Sequence, residues 1–212
     1  MIQPFVEGRG DDEAIRVLLM KLLNIAGHYS LPINKPIRRN RDEYLDKDKL
    51  RKSLEIGLLR PECKAILILF DADDACPKEI APCIEKWANE FSGARSVPSV
   101  VIMANKEYEA WFLAAIETMS VSPRLRRPPQ PFVEPENVRD AKGKFEEFLT
   151  DFYSARTDQA KFTAAMDLKL VYQRSRSFRR LVKAFGILLN SQGILSREWP
   201  PADWIQPSEA DS

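Results

Sequence analysis

The chain has 212 residues, 44% of them hydrophobic, and its 32 Lys+Arg nearly cancel its 31 Asp+Glu. This length and apolar fraction suit one compact α/β domain with an appendage, or two small domains, and exclude global disorder; the balanced charge gives no sign of nucleic-acid or membrane binding, so only local clustering can. The opening MIQPFVEGRGDDE has neither a basic start nor a long apolar run, and no segment reaches the ~18 apolar residues of a membrane span, so a soluble, cytoplasmic protein without membrane contact is expected.

Residues 2–6 (IQPFV) read as a first strand, with Pro4 placed where its nitrogen meets no ladder partner. Glu7-Gly8-Arg9-Gly10 is a tight turn, and Asp11 or Asp12 caps a helix with the apolar stripe Ile15, Leu18, Leu19, Leu22 and Leu23. A possible strand at 29–37 is broken by Pro32 and Pro36, and the charged run 38–52 reads as a loop leading into a helix near 46–58. Residues 64–70 (KAILILF) are almost continuously apolar, as in a strand buried on both faces of a parallel sheet, and run into Asp71-Ala72-Asp73-Asp74. A helix over 78–91, a buried strand over 98–103 and a helix over 107–119 follow. This alternation predicts an α/β fold with a mainly parallel, doubly wound, Rossmann-like sheet flanked by helices over residues 1–119. The prolines of 120–136 make a stiff linker; 137–190 reads as a C-terminal all-helical appendage and 191–212 as an irregular tail.

Ligands of parallel sheets sit outside the carboxyl ends of the strands. Two predicted strands end in acids, the first at Glu7 and the second at Asp71, with Asp73 two residues on. If the chain stays extended there, Asp71 and Asp73 point the same way. Three such carboxylates suit Mg²⁺ or Mn²⁺, which prefer oxygen ligands. The competing reading is that Asp71–Asp74 only cap the next helix. Cys63, Cys76 and Cys83 form no C-x-x-C pair and read as free thiols, and a single histidine, His28, removes most triad and multi-histidine zinc chemistry.

Val6-Glu7-Gly8 followed by Asp71-Ala72-Asp73 resembles the Toprim pattern of topoisomerases, primases and OLD-type nucleases. Tyr108-Glu109-Ala110-Trp111-Phe112-Leu113, Tyr153, Asp158-Gln159, Met166-Asp167-Leu168 and Ser175-Arg176-Ser177-Phe178 resemble a prokaryotic family known as domain of unknown function 4276, over roughly residues 2–185. The resemblance implies a Toprim-like metal site. Glu7 would be an acid/base or metal-bound carboxylate, Asp71 and Asp73 metal ligands, and Asp11 and Glu109 further ligands completing a two-metal cluster. Asp11 reads equally as a helix cap, and Glu109 as a first-turn acid. The resemblance further implies a metal-dependent nuclease acting on DNA or RNA, working with an AAA- or ABC-type ATPase partner in prokaryotic defence; this sequence carries no G-x-x-x-x-G-K-[ST] of its own.

On a helical wheel, 171–185 places Val171, Phe178, Leu181, Val182 and Phe185 on one face and Arg176, Arg179, Arg180 and Lys183 on the other, a stripe suited to phosphates or to solvent. Arg174 falls on the apolar face and needs an anionic partner, expected in the acidic site or a buried acid such as Asp167, with Asp158 and Gln159 in the same polar cluster. Arg124, Arg126 and Arg127 form a smaller patch in the linker. Tyr153 is not expected to be a topoisomerase nucleophile, because the chain is too short for gate domains. Two alternatives to the nuclease stand beside it: a non-catalytic module binding nucleic acid and an ATPase, and a phosphatase or nucleotidyl transferase using the same D-x-D.

Overall fold

Among the described residues, strands β1 (Ile2–Val6), β2 (Ile37–Arg38), β3 (Ala65–Asp71) and β4 (Ser99–Ala104) form one all-parallel sheet in the order β2-β1-β3-β4. The computed structural model describes residues 1–29, 31–119, 124–126, 129–195 and 197–205; Arg127, part of the expected linker and the end of the expected tail lie outside them. The apolar runs follow from burial on both faces. Ala65, Leu67 and Leu69 of β3 enter one core, and Ile66, Ile68 and Phe70 enter the other.

Helices α1 (Asp11–Ile25), α2 (Arg41–Tyr44), α3 (Lys47–Leu58), α4 (Pro77–Ser92), α5 (Glu109–Ala114), α6 (Ala141–Glu146), α7 (Ala155–Ala165), α8 (Leu168–Arg174) and α9 (Arg176–Ser191) cover the sheet. The core with Leu67 takes side chains from α1 and α5–α9, and the core with Phe70 takes them from α2, α3 and α4. The C-terminal helices therefore share a core with α1 and α5. Burial of Phe178, Leu181, Val182, Phe185, Leu188 and Leu189 anchors α9. At ~1.5–3 kcal/mol per large apolar side chain, that burial outweighs anything its charged face can contribute.

Pro4 sits in the middle of β1 without cost. Ile2 O and Val6 O accept from Asn34 and Arg39 N–H on the β2 side, so the same alternation turns Pro4 to that side, where the ladder lapses. Gln3 Nε2 fills the lapse, donating to Pro4 O at 2.8 Å and Lys35 O at 3.1 Å. The β4 edge is closed by α4: Asn89 exchanges two hydrogen bonds with the Ser99 backbone, and Val101 N–H donates to Glu85 Oε2 at 2.8 Å. These side chains block further strand pairing.

Several expectations are revised. The charged run 38–52 contains α2, whose Tyr44 is buried. The helix expected over 107–119 is α5 followed by a 3-10 turn, Ile116–Met119. The helix drawn through 171–185 is two helices. Ser175 is extended between them, and its Oγ caps α9 by accepting from Phe178 N–H at 3.0 Å. No helix of the described residues is long and apolar enough to cross a membrane.

Candidate active site

The strand order brings β1 and β3 together while their following helices leave on opposite faces, α1 into one core and α4 into the other. In open α/β sheets, ligands sit at such a switch point, outside the carboxyl ends of the strands. Glu7 and Asp71 stand at those two strand ends.

Asp71 continues the alternation of Ala65, Leu67 and Leu69 and turns toward the α1/α5 face. Its Oδ1 accepts from Tyr108 N–H at 2.9 Å. Burial raises its pKa well above the carboxylate range, helped by the charges of Asp11, Glu109 and Glu7. Asp11 does not cap α1: that position is Gly10, without a side-chain bond. Asp11 Oδ2 accepts from Gly8 N–H at 2.6 Å and Oδ1 from Gln159 Nε2 at 2.7 Å. Burial raises its pKa as well, against the opposing effect of those two donors.

Glu109 is 5% exposed. Its Oε1 accepts from Tyr153 Oη at 2.8 Å, yet burial still pushes its pKa up to about 7. Glu7 is half-buried, and its Oε2 is buried with no hydrogen-bond partner. Its pKa is raised by burial and by Asp73, with Arg41 opposing.

Asp71 and Asp73 do not point the same way. Asp73 has φ 49°, in the left-handed region, so the chain turns rather than staying extended. Its side chain is exposed and paired with Arg41, whose Nη2 also donates to Ala72 O at 3.0 Å. Asp74 pairs with Lys106 and Arg139. Asp71, Asp11 and Glu109 thus form the inner group, and Glu7 and Asp73 the group beside Arg41.

The basic residues divide similarly. Arg174 Nη1 meets Glu117 Oε1 at 2.5 Å and Ala114 O at 2.9 Å, so its partner is neither the acidic site nor Asp167. Asp167 instead caps α8. Arg179 donates to Tyr172 O and Gln173 O. Arg176 and Arg180 line a hollow of about 250 Å³ with Asn105, just beyond β4, and Arg180 and Lys183 border a groove with Glu85. Arg124 is held by Asp151 at 2.8 Å and Asp158 at 2.7 Å, and Arg126 by Leu149 O. Asp158 and Gln159 therefore belong to different clusters, and neither pairs with Arg174.

The acids fit a divalent cation by their chemistry. Glu7, Asp11, Asp71 and Glu109 all have raised pKa values, Glu7 Oε2 is unpaired, and Arg41 is committed to Asp73. Among the described residues, however, no three His, Cys, Asp or Glu side chains are already gathered to hold an ion. Closing a cage requires side-chain rotation. Glu7 Oε2 has no partner to hold it, whereas Asp73 is held by Arg41, and Asp11 and Glu109 by their hydrogen bonds. Arg41, Tyr153 as donor, and Glu136 went unnoticed in the sequence. Glu136 accepts from Ser175 Oγ, Ser177 N–H and Ser177 Oγ, and from Arg176 N–H. Nothing local marks these residues, because their partners are tens of positions away.

The family profile described as "Domain of unknown function (DUF4276)" matches residues 6–185. No curated protein and no solved structure matches the chain.

Proposed function

This chain belongs to the DUF4276 family, and we propose that it is a Toprim-like, Mg²⁺- or Mn²⁺-dependent nuclease that hydrolyses phosphodiesters of DNA or RNA. The observation that carries the reading is the group of undercompensated carboxylates at the β1/β3 switch point, with Glu7 Oε2 unpaired. Bound there, the cation would neutralise phosphoryl oxygens and lower the pKa of a water. Asp71 and Asp73, with Asp11 and Glu109 behind them, would hold it.

Glu7 is the residue to take the proton of the attacking water, because its Oε2 has no hydrogen-bond partner. Glu109, whose carboxyl burial pushes up to about 7 in the metal-free chain, is held in place by Tyr153. Arg176, Arg180 and Lys183 supply phosphate contacts along the β4 flank, and Arg174 and Arg179, each also bonded within the fold, line the adjoining hollow with Arg176. By its resemblance to OLD-type systems, the chain would act with an AAA- or ABC-type ATPase.

The test is cleavage of labelled DNA and RNA in Mn²⁺, Mg²⁺ and EDTA. Metal-dependent cleavage should vanish in Asp71→Ala and in Glu7→Ala, and retention in both variants refutes the reading. That no cage is gathered among the described residues favours a second reading, a non-catalytic module binding nucleic acid and an ATPase. Calorimetry separates the two, since that module takes up neither Mg²⁺ nor Mn²⁺.

A further inference from the structure

We infer that Arg9, Arg38 and Arg156 form a second phosphate-binding cleft on the β2 side of the acids, which holds the backbone of a polynucleotide away from the reacting phosphate. This rests on the nucleic-acid reading of the acidic site and extends it to substrate length.

The three arginines come from separate parts of the chain and converge at one end of the sheet. Arg9 lies in the turn two residues after Glu7. Arg38 pairs in register with Val6, the residue before Glu7. Arg156 lies in the first turn of α7, which rests directly on Gly10: a Cβ there would collide with Ala155 O and Gln159 Oε1. The Gln159–Asp11 hydrogen bond fixes the same junction. Together with Asp12 and Glu13, the arginines line an open cleft of about 380 Å³.

All three arginines are exposed, and none of their guanidiniums has an ion-pair or hydrogen-bond partner among the described residues. Arg39, Arg41, Arg124 and Arg174, by contrast, are engaged within the fold. Asp12 and Glu13 leave the lining with one net positive charge. That balance suits the single charge of a phosphodiester better than a dianionic phosphate monoester.

The position of the cleft sets the length of the substrate. Arg176 and Arg180 stand beyond β4, and the new cleft stands beside β2, with the acids between them. Three strand spacings separate those flanks, about 14 Å. At a rise of roughly 3.4 Å per nucleotide, a ligand touching both flanks spans about four nucleotides or more. The substrate is accordingly a polynucleotide rather than a nucleotide.

The test is fluorescence anisotropy of a labelled single-stranded oligonucleotide, as DNA and as RNA, titrated with the full chain in EDTA at several salt concentrations. Arg9→Gln/Arg38→Gln/Arg156→Gln should bind at least tenfold more weakly. Its log–log salt slope should be smaller by at least about 0.7, the contribution of each phosphate of a single strand that the protein no longer neutralises. Each single variant should cost about threefold, which keeps the test informative if the triple variant folds poorly. Arg60→Gln/Lys64→Gln/Arg95→Gln, at the opposite end of the sheet, removes equal charge and should change binding less than twofold. Unchanged affinity and slope in the triple variant overturn the cleft, as does an equal loss in the control or a wild type that does not bind. Cleavage is not read, so failure of the nuclease reading is scored separately by the metal-dependent assay.

Discussion

Glu109→Gln isolates the electrostatic cost of the acidic site. In the metal-free protein, Glu109 has a pKa raised by burial from 4.5 to about 7. Below pH 4.5 the carboxyl is protonated in both the folded and the unfolded chain and costs nothing. Between pH 4.5 and 7 the folded chain retains a proton that the unfolded chain releases, so stability falls as pH rises, and above 7 the full cost remains. Each tenfold change in proton affinity is about 1.4 kcal/mol, so the cost is roughly 3 kcal/mol.

Gln keeps the size and the acceptor for Tyr153 Oη but cannot ionise. Urea unfolding in EDTA from pH 4.5 to 8 should show wild-type stability falling more steeply than that of the variant, by roughly 3 kcal/mol over the window. Loss of the Glu109 charge also relieves Asp71, whose pKa it raises, so the coupling adds in the same direction. Mn²⁺ at pH 8 should restore the wild type more than the variant, because it binds the folded state. Parallel pH profiles for the two proteins would refute the argument.

Asp71→Asn should raise the thermal midpoint of the metal-free protein at pH 7, because its carboxyl is held above its ordinary range, while abolishing cleavage; a lowered midpoint contradicts that electrostatic picture. Gly10→Ala should cost ~1–3 kcal/mol in urea unfolding, because the added methyl drives α7 from the β1–α1 turn. Lys21→Met should cost ~1–3 kcal/mol, because Lys21 Nζ donates to Thr163 O, Ala164 O and Met166 O at 2.7–3.0 Å and closes the end of α7; hydrogen exchange should rise there first.

Strands β1, β3 and β4 and their parallel order were legible because burial on both faces writes apolar runs, as in 64–70, whereas β2 is only Ile37–Arg38, at the end of the strand expected over 29–37 and the start of the run read as a loop. Glu7, Asp71 and Glu109 were legible as acids bordering such runs. The direction of Asp73 was not, since the left-handed turn after Ala72 is stabilised by Asp73 N–H donating to Lys106 O across the sheet. Nor was the break at Ser175. The wheel runs through it smoothly, and the interruption is supported by Glu136, about forty residues upstream. Arg174 needed a carboxylate, as its place on the wheel required, but the fold supplied Glu117 rather than Asp167.

The C-terminal helices build the site as well as cover the sheet. Glu7, Asp11, Asp71 and Glu109 all come from the first 119 residues, yet two of them are positioned by later ones. Gln159 of α7 holds Asp11, and Tyr153, just before α7, holds Glu109. Both hydrogen bonds favour the ionised acid against burial, and Gly10 allows the backbone approach that makes the first of them possible. The same approach brings Arg156 to the cleft shared with Arg9 and Arg38. A change that lifts α7 should therefore disturb the inner acids and the distal phosphate cleft together, while the Asp73–Arg41 pair, built from the turn after β3 and from α2, stays intact.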